Sequence, residues 1–287
     1  MSMSKKYLTE ALLLTRSYYP DELECWVEWY LNILGFHHIV IFDNESIIDV
    51  QEIIKKYKDR VSYRFLSGWP NQHKLYSDYI KESESQWIIP VDDDEFLYIG
   101  DKFNGSVKEF IQTMYSTYNK NKYYPLWVCM VSKEPMEKRE GLFINTQDHY
   151  SYEAFYNLRR YWGIDNRLGK CFVNTDYSYV YGNHSIAGHI PECLDGDNTT
   201  VLVNGNTTNG DWVIKDNEGI NKDCFIAHYH TKSKEDWIIK CNRCSVRTGK
   251  LLLSPRSLSV YDRLYQNKVL FKPCTLLKDR WNNYLNK

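Results

Sequence analysis

The chain has 287 residues, 43% of them hydrophobic, enough for one large α/β domain with or without a small appendage. Lys and Arg number 36 against 37 Asp and Glu, a formal net charge of −1. That balance, with no basic run and no acidic tail, argues against a nucleic-acid partner.

At the N-terminus the apolar stretch Ala11–Leu14 is too short for a signal-peptide core. No window approaches the roughly 18 apolar residues of a membrane span. The expectation is a soluble, cytoplasmic protein with no integral membrane segment. Ala11–Thr15 reads as a short strand. Pro20-Asp21-Glu22 opens a helix, with proline in the first turn and acids favoured by the helix dipole. Leu23, Val27, Tyr30, Leu31 and Leu34 form its apolar face, and Gly35 closes it. His38–Phe42 is the second strand and runs into Asp43-Asn44-Glu45-Ser46. Val50, Ile53, Ile54 and Tyr57 mark a helix, Val61–Leu66 a third strand, Asn71–Glu84 a helix and Trp87–Val91 a fourth strand. This alternation with short connections predicts a parallel sheet covered by helices, whose ligands bind at the carboxyl ends of the strands. Polar residues stand at those ends: Thr15-Arg16, Asp43-Asn44, and the four acids Asp92–Glu95.

A further helix follows (Val107, Phe110, Ile111, Met114, Tyr118), then a strand over Tyr123–Val131. Residues 132–223, rich in Asn, Gly, Thr and Asp, read as irregular loops with short strands. Order returns with the strand CFIAHYH, 224–230, and a helix from Ser233 with acids in its first turn. The eight cysteines are scattered and several sit in apolar runs, a pattern of reduced, buried thiols rather than a disulfide framework. Aromatic residues make up 15%, which suits stacking on sugar rings or bases and equally suits a Tyr-rich core.

The sequence IIPVDDDEF, 88–96, poses the main question, because adjacent carboxylates resist simultaneous ionisation. In an extended segment Asp92 and Asp94 point to one side and can face one divalent ion, which cancels the repulsion. Oxygen ligands suit Mg²⁺ or Mn²⁺. A phosphotransferase of the haloacid-dehalogenase type also carries a DxD after a strand, but it wants Thr or Val where this chain has Glu95-Phe96. A solvated turn of acids is the plain alternative, and the return to Phe96-Leu97 argues for a turn pinned in the interior.

Taken together, Glu28-Trp29-Tyr30, Leu34-Gly35-Phe36, Asp43-Asn44-Glu45-Ser46, Gln72, Asp92–Phe96, Trp127, Lys170, His189, His228-Tyr229, Lys232-Ser233, Lys240 and Arg243 resemble a nucleotide-sugar glycosyltransferase of the GT-A fold, in the family 2-like and family 92-like group. Cys244 stands where that group tends to have Gly, and residues 132–223 match poorly. The resemblance implies an α/β, Rossmann-like, mostly parallel sheet flanked by helices, with an irregular acceptor side and C-terminal helices. It divides the chain into a transferase domain over 1–250, with a nucleotide-sugar half at 1–100 and an acceptor half at 101–250, and a helical extension at 251–287.

The implied activity is metal-dependent transfer of a sugar from a nucleotide sugar, a UDP-sugar first, to a glycan or glycoprotein hydroxyl, with inversion. The implied metal is Mn²⁺ or Mg²⁺, held by Asp92, Asp94 and His228. Of the two histidines on one face of CFIAHYH, the His-Tyr pair before Lys232-Ser233 selects His228. The donor falls to Thr15, Arg16, Asp43, Gln72, Tyr76, Asp92, Asp93 and Lys170, with Asp43 equally able to cap the helix that follows it. Inversion needs a carboxylate base, whereas retention needs none; for an inverting enzyme Glu153 fits best, with Asp148 and Asp165 open. A non-catalytic, metal-dependent carbohydrate-binding module is the rival reading, although it leaves the polar residues at three strand ends without a purpose. With no membrane anchor, a bacterial or large-virus enzyme of surface glycans is expected.

Overall fold

The computed structural model describes residues 5–68, 70–119, 122–125, 127–151, 169–176, 201–202, 223–242, 261–262, 265 and 271–287. The chain forms two compact units, Met1–Trp127 with Arg167–Ile226 and Val128–Asn166 with Ala227–Lys287.

The first unit is built by alternation: β1 (Tyr7–Thr15), α1 (Pro20–Glu28), β2 (His38–Asp43), α2 (Val50–Ile54), β3 (Val61–Phe65), α3 (Gln72–Glu82) and β4 (Ser85–Pro90). It continues with β5 (Glu95–Ile99), α4 (Val107–Tyr118) and β6 (Lys122–Tyr124). β7 (Trp127–Val131), α5 (Phe143–Thr146) and β8 (His149–Ser151) lead into the second unit, and β9 (Phe172–Asn174) and β10 (Val201–Leu202) belong to the first. β11 (Cys224–His228) passes from the first to the second, where α6 (Lys234–Asn242), β12 (Phe271–Pro273) and α7 (Leu276–Leu285) follow.

The main sheet has the order β10-β6-β9-β4-β1-β2-β3. β4, β1, β2 and β3 are mutually parallel, while β9 runs antiparallel to β4 and β6. The α/β, mostly parallel sheet expected from the alternation is therefore present. The central strands carry the apolar runs Ala11–Leu14 and Ile39–Phe42 because a parallel sheet covered by helices buries both faces; the last seven residues of β1 and all six of β2 are buried. The chain proceeds outward from β1 to β3 and then returns to β4 on the other side of β1, so β1 and β4 flank a topological switch point. Thr15 pairs with Asp43 in register, and the Val91 N–H donates to the Leu12 carbonyl at 2.9 Å.

Three local expectations change. The helix expected to run to Gly35 is α-helical only to Glu28 and continues as a π turn over Trp29–Ile33. The Leu34 N–H reaches the Trp29 carbonyl at 2.9 Å, and the Phe36 N–H closes onto the Tyr30 carbonyl at 2.9 Å. Gly35, with φ of 76°, supplies the left-handed step this closure needs. The helix marked by Val50–Tyr57 ends at Ile54 and gives way to a 3₁₀ stretch, Lys55–Arg60. The strand expected over Tyr123–Val131 is two strands in different sheets, separated at Pro125, which has no N–H for a ladder.

In the second unit β12, β8, β7 and β11 are successive neighbours, with β8 antiparallel to both β12 and β7. Cys129, Val131, Trp237, Cys241, Tyr261 and Tyr265 form a buried cluster. The six described cysteines are all buried thiols without disulfides, as their apolar contexts predict. Among the described residues, no helix is long and apolar enough to cross a membrane.

Candidate functional site

The acidic segment is not extended. The Glu95 N–H donates to the Asp92 carbonyl at 3.1 Å, closing a turn after β4, and Glu95 opens β5. Asp92 and Asp94 are thus not alternate residues on one face of a strand. Aromatic side chains from α1 and the π turn hold the backbone here. The Trp26 indole donates to the Asp92 carbonyl at 3.1 Å and the Trp29 indole to the Leu97 carbonyl at 2.8 Å. The Tyr30 hydroxyl donates to the Glu95 carbonyl and accepts from the Leu97 N–H, at 3.2 and 3.0 Å.

Much of the charge is met from within the protein. Lys170, just before β9, is 1% exposed, and its Nζ lies 2.8 Å from Asp92 Oδ2 and 3.5 Å from Glu95 Oε2. Burial alone would lower the Lys170 pKa, but the charges of Asp92 and Glu95 outweigh it and hold the ammonium above its ordinary value. Burial raises Glu95 well above the ordinary carboxylate range, with Lys170 opposing and Asp92 and Asp94 reinforcing the shift. The direct ion pair is Lys170 with Asp92, while Glu95 Oε2 accepts the Asp92 N–H at 2.9 Å.

The residues expected to bind the donor fall into linked groups. Gln72 Nε2 stands 3.3 Å from both Asp92 Oδ1 and the Tyr76 hydroxyl, and that hydroxyl accepts the Leu14 N–H at 3.1 Å. Gln72 and Tyr76 share one helix face, and that face meets the acidic turn; Tyr76 is buried. The Thr15 hydroxyl donates to Asp93 Oδ2 at 2.6 Å, joining the ends of β1 and β4 across the switch point. Asp43 is buried: its carboxylate accepts the Ser46 N–H and the Tyr63 hydroxyl, each at 2.9 Å. Arg16 extends its guanidinium to the Glu45 carboxylate at 3.2 Å and the Glu45 carbonyl at 3.3 Å. Tyr63 and Glu45 were not foreseen as partners; Glu45 stood in the polar run after β2, whereas nothing in the strand pattern marked Tyr63.

In the second unit His228 ends β11, and its ring centroid lies 4.9 Å from that of His230, with ring nitrogens within 4.8 Å of each other. Tyr229, between them in sequence, is fully buried, its ring centroid 4.6 Å from that of Phe143. The Ser233 hydroxyl donates to Asp236 and accepts the Asp236 N–H, at 2.6 and 3.1 Å, which starts α6. From α6, Lys240 reaches back to His230, and Trp237 packs edge-on against the His230 ring at 5.2 Å. Asp148 is held by His149 Nδ1 at 2.7 Å and Lys278 Nζ at 3.1 Å. Glu153 and Asp165 lie outside the described residues, as do His189 and Arg243.

Asp94 in the first unit (5% exposed) offers a carboxylate and His228 in the second (6%) an imidazole, both donor types that Mn²⁺ accepts. Asp92 is engaged with Lys170, and an ion at that oxygen would have to displace the ammonium.

The sequence profile of glycosyltransferase family 92 matches residues 21–245. The chain belongs to that family. The acidic turn, Lys170, His228 and Lys240 all lie inside the matched span. Comparison with curated proteins gave no match. Among solved structures, residues 1–349 of TarS from S. aureus align at 14% identity and TM-score 0.32, over 58% of this chain and 47% of that one. TarS has also been crystallised with UDP and with UDP-GlcNAc. A 4-diphosphocytidyl-2C-methyl-D-erythritol synthase from Anaerococcus prevotii aligns at 12% identity and TM-score 0.29, over 47% of this chain and 60% of the other. The family 92 chain thus spans under two thirds of either neighbour.

Proposed function

We propose that this family 92 chain moves a sugar from a UDP-sugar to a glycan hydroxyl, with inversion and with a bound divalent cation, Mn²⁺ or Mg²⁺. The observation that carries the reading is the partly buried acidic turn, built at the switch point of a parallel sheet, where ligands of open α/β sheets collect. Asp94 and His228 are the proposed ion ligands. In the first unit, the end of β5 meets the start of β11, with the Gly100 N–H on the Asp223 carbonyl at 2.8 Å and Tyr98 stacked on Phe225.

A bound cation supplies charge against the diphosphate leaving group. The chain's own residues do the rest. Lys170 neutralises Asp92 and holds the turn in shape, while Gln72 and Tyr76 lock α3 to the same turn. Asp43 and Arg16 order the β2 end, where the base and ribose are proposed to lie. Glu153 is the proposed base that takes the proton of the acceptor hydroxyl.

The test is thermal unfolding with UDP, Mn²⁺, both, or both with EDTA. Selective binding to the folded state raises Tm, so a rise is expected with both ligands and its loss with EDTA. An equal rise with UDP in EDTA, or a rise with free glycan and none with UDP and Mn²⁺, would refute the reading.

A further inference from the structure

Glu10, His38 and Ser62 are joined in a line across three strands of the first unit, β1, β2 and β3. Glu10 and His38 face each other in register, and Ser62 pairs with Val40, two residues along from His38 on the same face. Glu10 Oε2 lies 2.6 Å from His38 Nδ1, and His38 Nε2 lies 3.0 Å from the Ser62 hydroxyl. The carboxylate accepts, so the proton of the neutral ring sits on Nδ1. Nε2 is left bare, and the Ser62 hydroxyl donates to it. Glu10 is 1% exposed and His38 5%, whereas Ser62 is exposed. The Tyr7 ring stacks on the imidazole at 4.7 Å, and the Ser83 hydroxyl donates to the other Glu10 oxygen at 3.1 Å. Ring and carboxylate are thus both held in place behind a hydroxyl that meets solvent.

The backbone adds a donor. β3 is the last strand of the main sheet. Just beyond it, the Leu66 N–H turns inward to the Asp43 carbonyl at 2.8 Å. Because N–H directions alternate along a strand, Ser62 also turns inward and the Tyr63 N–H points to the outer edge, one residue after the hydroxyl. A donor so placed can meet a developing oxyanion.

We infer that Ser62, His38 and Glu10 form a second catalytic centre, a serine hydrolase site for short carboxylic esters. A hydroxyl, a bare imidazole nitrogen and an orienting carboxylate in hydrogen-bond reach activate the hydroxyl for acyl transfer, whatever their order in the chain. His38 opens β2 and Ser62 is the second residue of β3, so the centre lies toward the amino ends of the strands, away from the acidic turn after β4. Ser62 Oγ bonds to the ester carbonyl carbon as its proton passes to His38 Nε2. The carbon–oxygen bond to the alcohol then breaks, and His38 gives that proton to the leaving oxygen. Water attacks the acyl-serine by the same route, losing a proton to His38, which returns it to Ser62 Oγ as the carboxylic acid leaves. Glu10 is a positioning residue that holds the Nδ1–H tautomer. A single backbone N–H toward the oxyanion suits esters rather than the more resistant amides.

The experiment uses the intact chain. A fluorophosphonate, which loses fluoride to an activated serine oxygen, is expected to leave its phosphonyl group on Ser62, located by peptide mass spectrometry. Hydrolysis of p-nitrophenyl acetate should fall by roughly a hundredfold or more in Ser62→Ala, the scale of general-base assistance to a hydroxyl. Ser62 is exposed, so the variant should keep the native circular dichroism. Glu10→Gln can offer Nδ1 an N–H in place of an acceptor, and it should lower kcat while KM stays level. His38→Gln should lose both label and hydrolysis; if that variant unfolds, Ser62→Ala decides. No adduct on Ser62, or equal hydrolysis by the native protein and Ser62→Ala, overturns the inference. So does native labelling in a folded His38→Gln, and native kcat in Glu10→Gln removes Glu10 from the centre.

Discussion

Replacing Lys170 by Met removes an ammonium that is 1% exposed and lies 2.8 Å from Asp92 and 3.5 Å from Glu95. Breaking a buried ion pair by deleting one partner costs about 3–5 kcal/mol, because the remaining charge is left uncompensated. Two features of the site place the cost near the lower end. The Asp92 side chain is 28% exposed and keeps some water, and Glu95, already held well above the ordinary carboxylate range by burial, can stay protonated. A loss of about 3 kcal/mol is therefore expected at pH 7, a substantial share of the roughly 5–15 kcal/mol that stabilises a typical domain. Urea unfolding followed by circular dichroism reads the change in midpoint and slope. Adding Asp92→Asn removes the orphaned charge and should recover more than half of the loss. If Lys170→Met costs less than about 1 kcal/mol, or the double variant recovers nothing, Lys170 does not neutralise the turn in the manner described.

Asp94→Asn is expected to lower sugar-nucleotide turnover by roughly a hundredfold or more while the unfolding midpoint stays level or rises, since it removes a like charge from the turn; near-native turnover with Mn²⁺ would count against the metal reading. Asp43→Ala should cost about 1–2 kcal/mol in urea unfolding, through loss of its bonds to the Ser46 N–H and the Tyr63 hydroxyl, with Tyr63→Phe costing less. Burial pushes the Asp148 carboxyl up, but Lys278 and His149 outweigh that and hold it below its ordinary value. A depressed folded pKa gives stability that is present above the unfolded value of about 3.9 and is lost as pH falls through the folded value. The Tm deficit of Asp148→Asn should accordingly be seen at pH 7 and shrink at pH 3; a constant deficit contradicts the assignment.

The strands and helices of the first unit were legible because unbroken apolar runs alternate with 3.6-residue patterns, and Asn71 and Gly35 mark their boundaries in residue type. The acidic cluster was legible as a site but not in shape. Its turn is closed by bonds from the Glu95 N–H to the Asp92 carbonyl and from the Asp92 N–H to the Glu95 carboxylate, which four acids in a row do not announce. Lys170 stood out only through a family resemblance that assigned it to the donor. Its engagement with Asp92 joins residues 78 positions apart, a distance over which no local pattern carries information. Likewise, Lys240 was noted as a family-like piece, but its place against Nδ1 of His230 follows from how α6 folds back on the end of β11. The split of Tyr123–Val131 had a readable cue in Pro125 that the apolar run outweighed.

The π turn at Trp29–Ile33 has a consequence for how this chain can vary. A π turn closes on i→i+5 bonds and so holds one residue more than the α-helical turn it replaces. Deleting one residue there would leave room for a regular α-helical turn in its place. What would move is Tyr30, whose hydroxyl bridges the Glu95 carbonyl and the Leu97 N–H. The sheet would survive, and the acidic turn would lose a tether of two hydrogen bonds, worth about 1–3 kcal/mol. The anchoring of the turn is thus separable from the fold that carries it, and its stiffness can be selected one residue at a time.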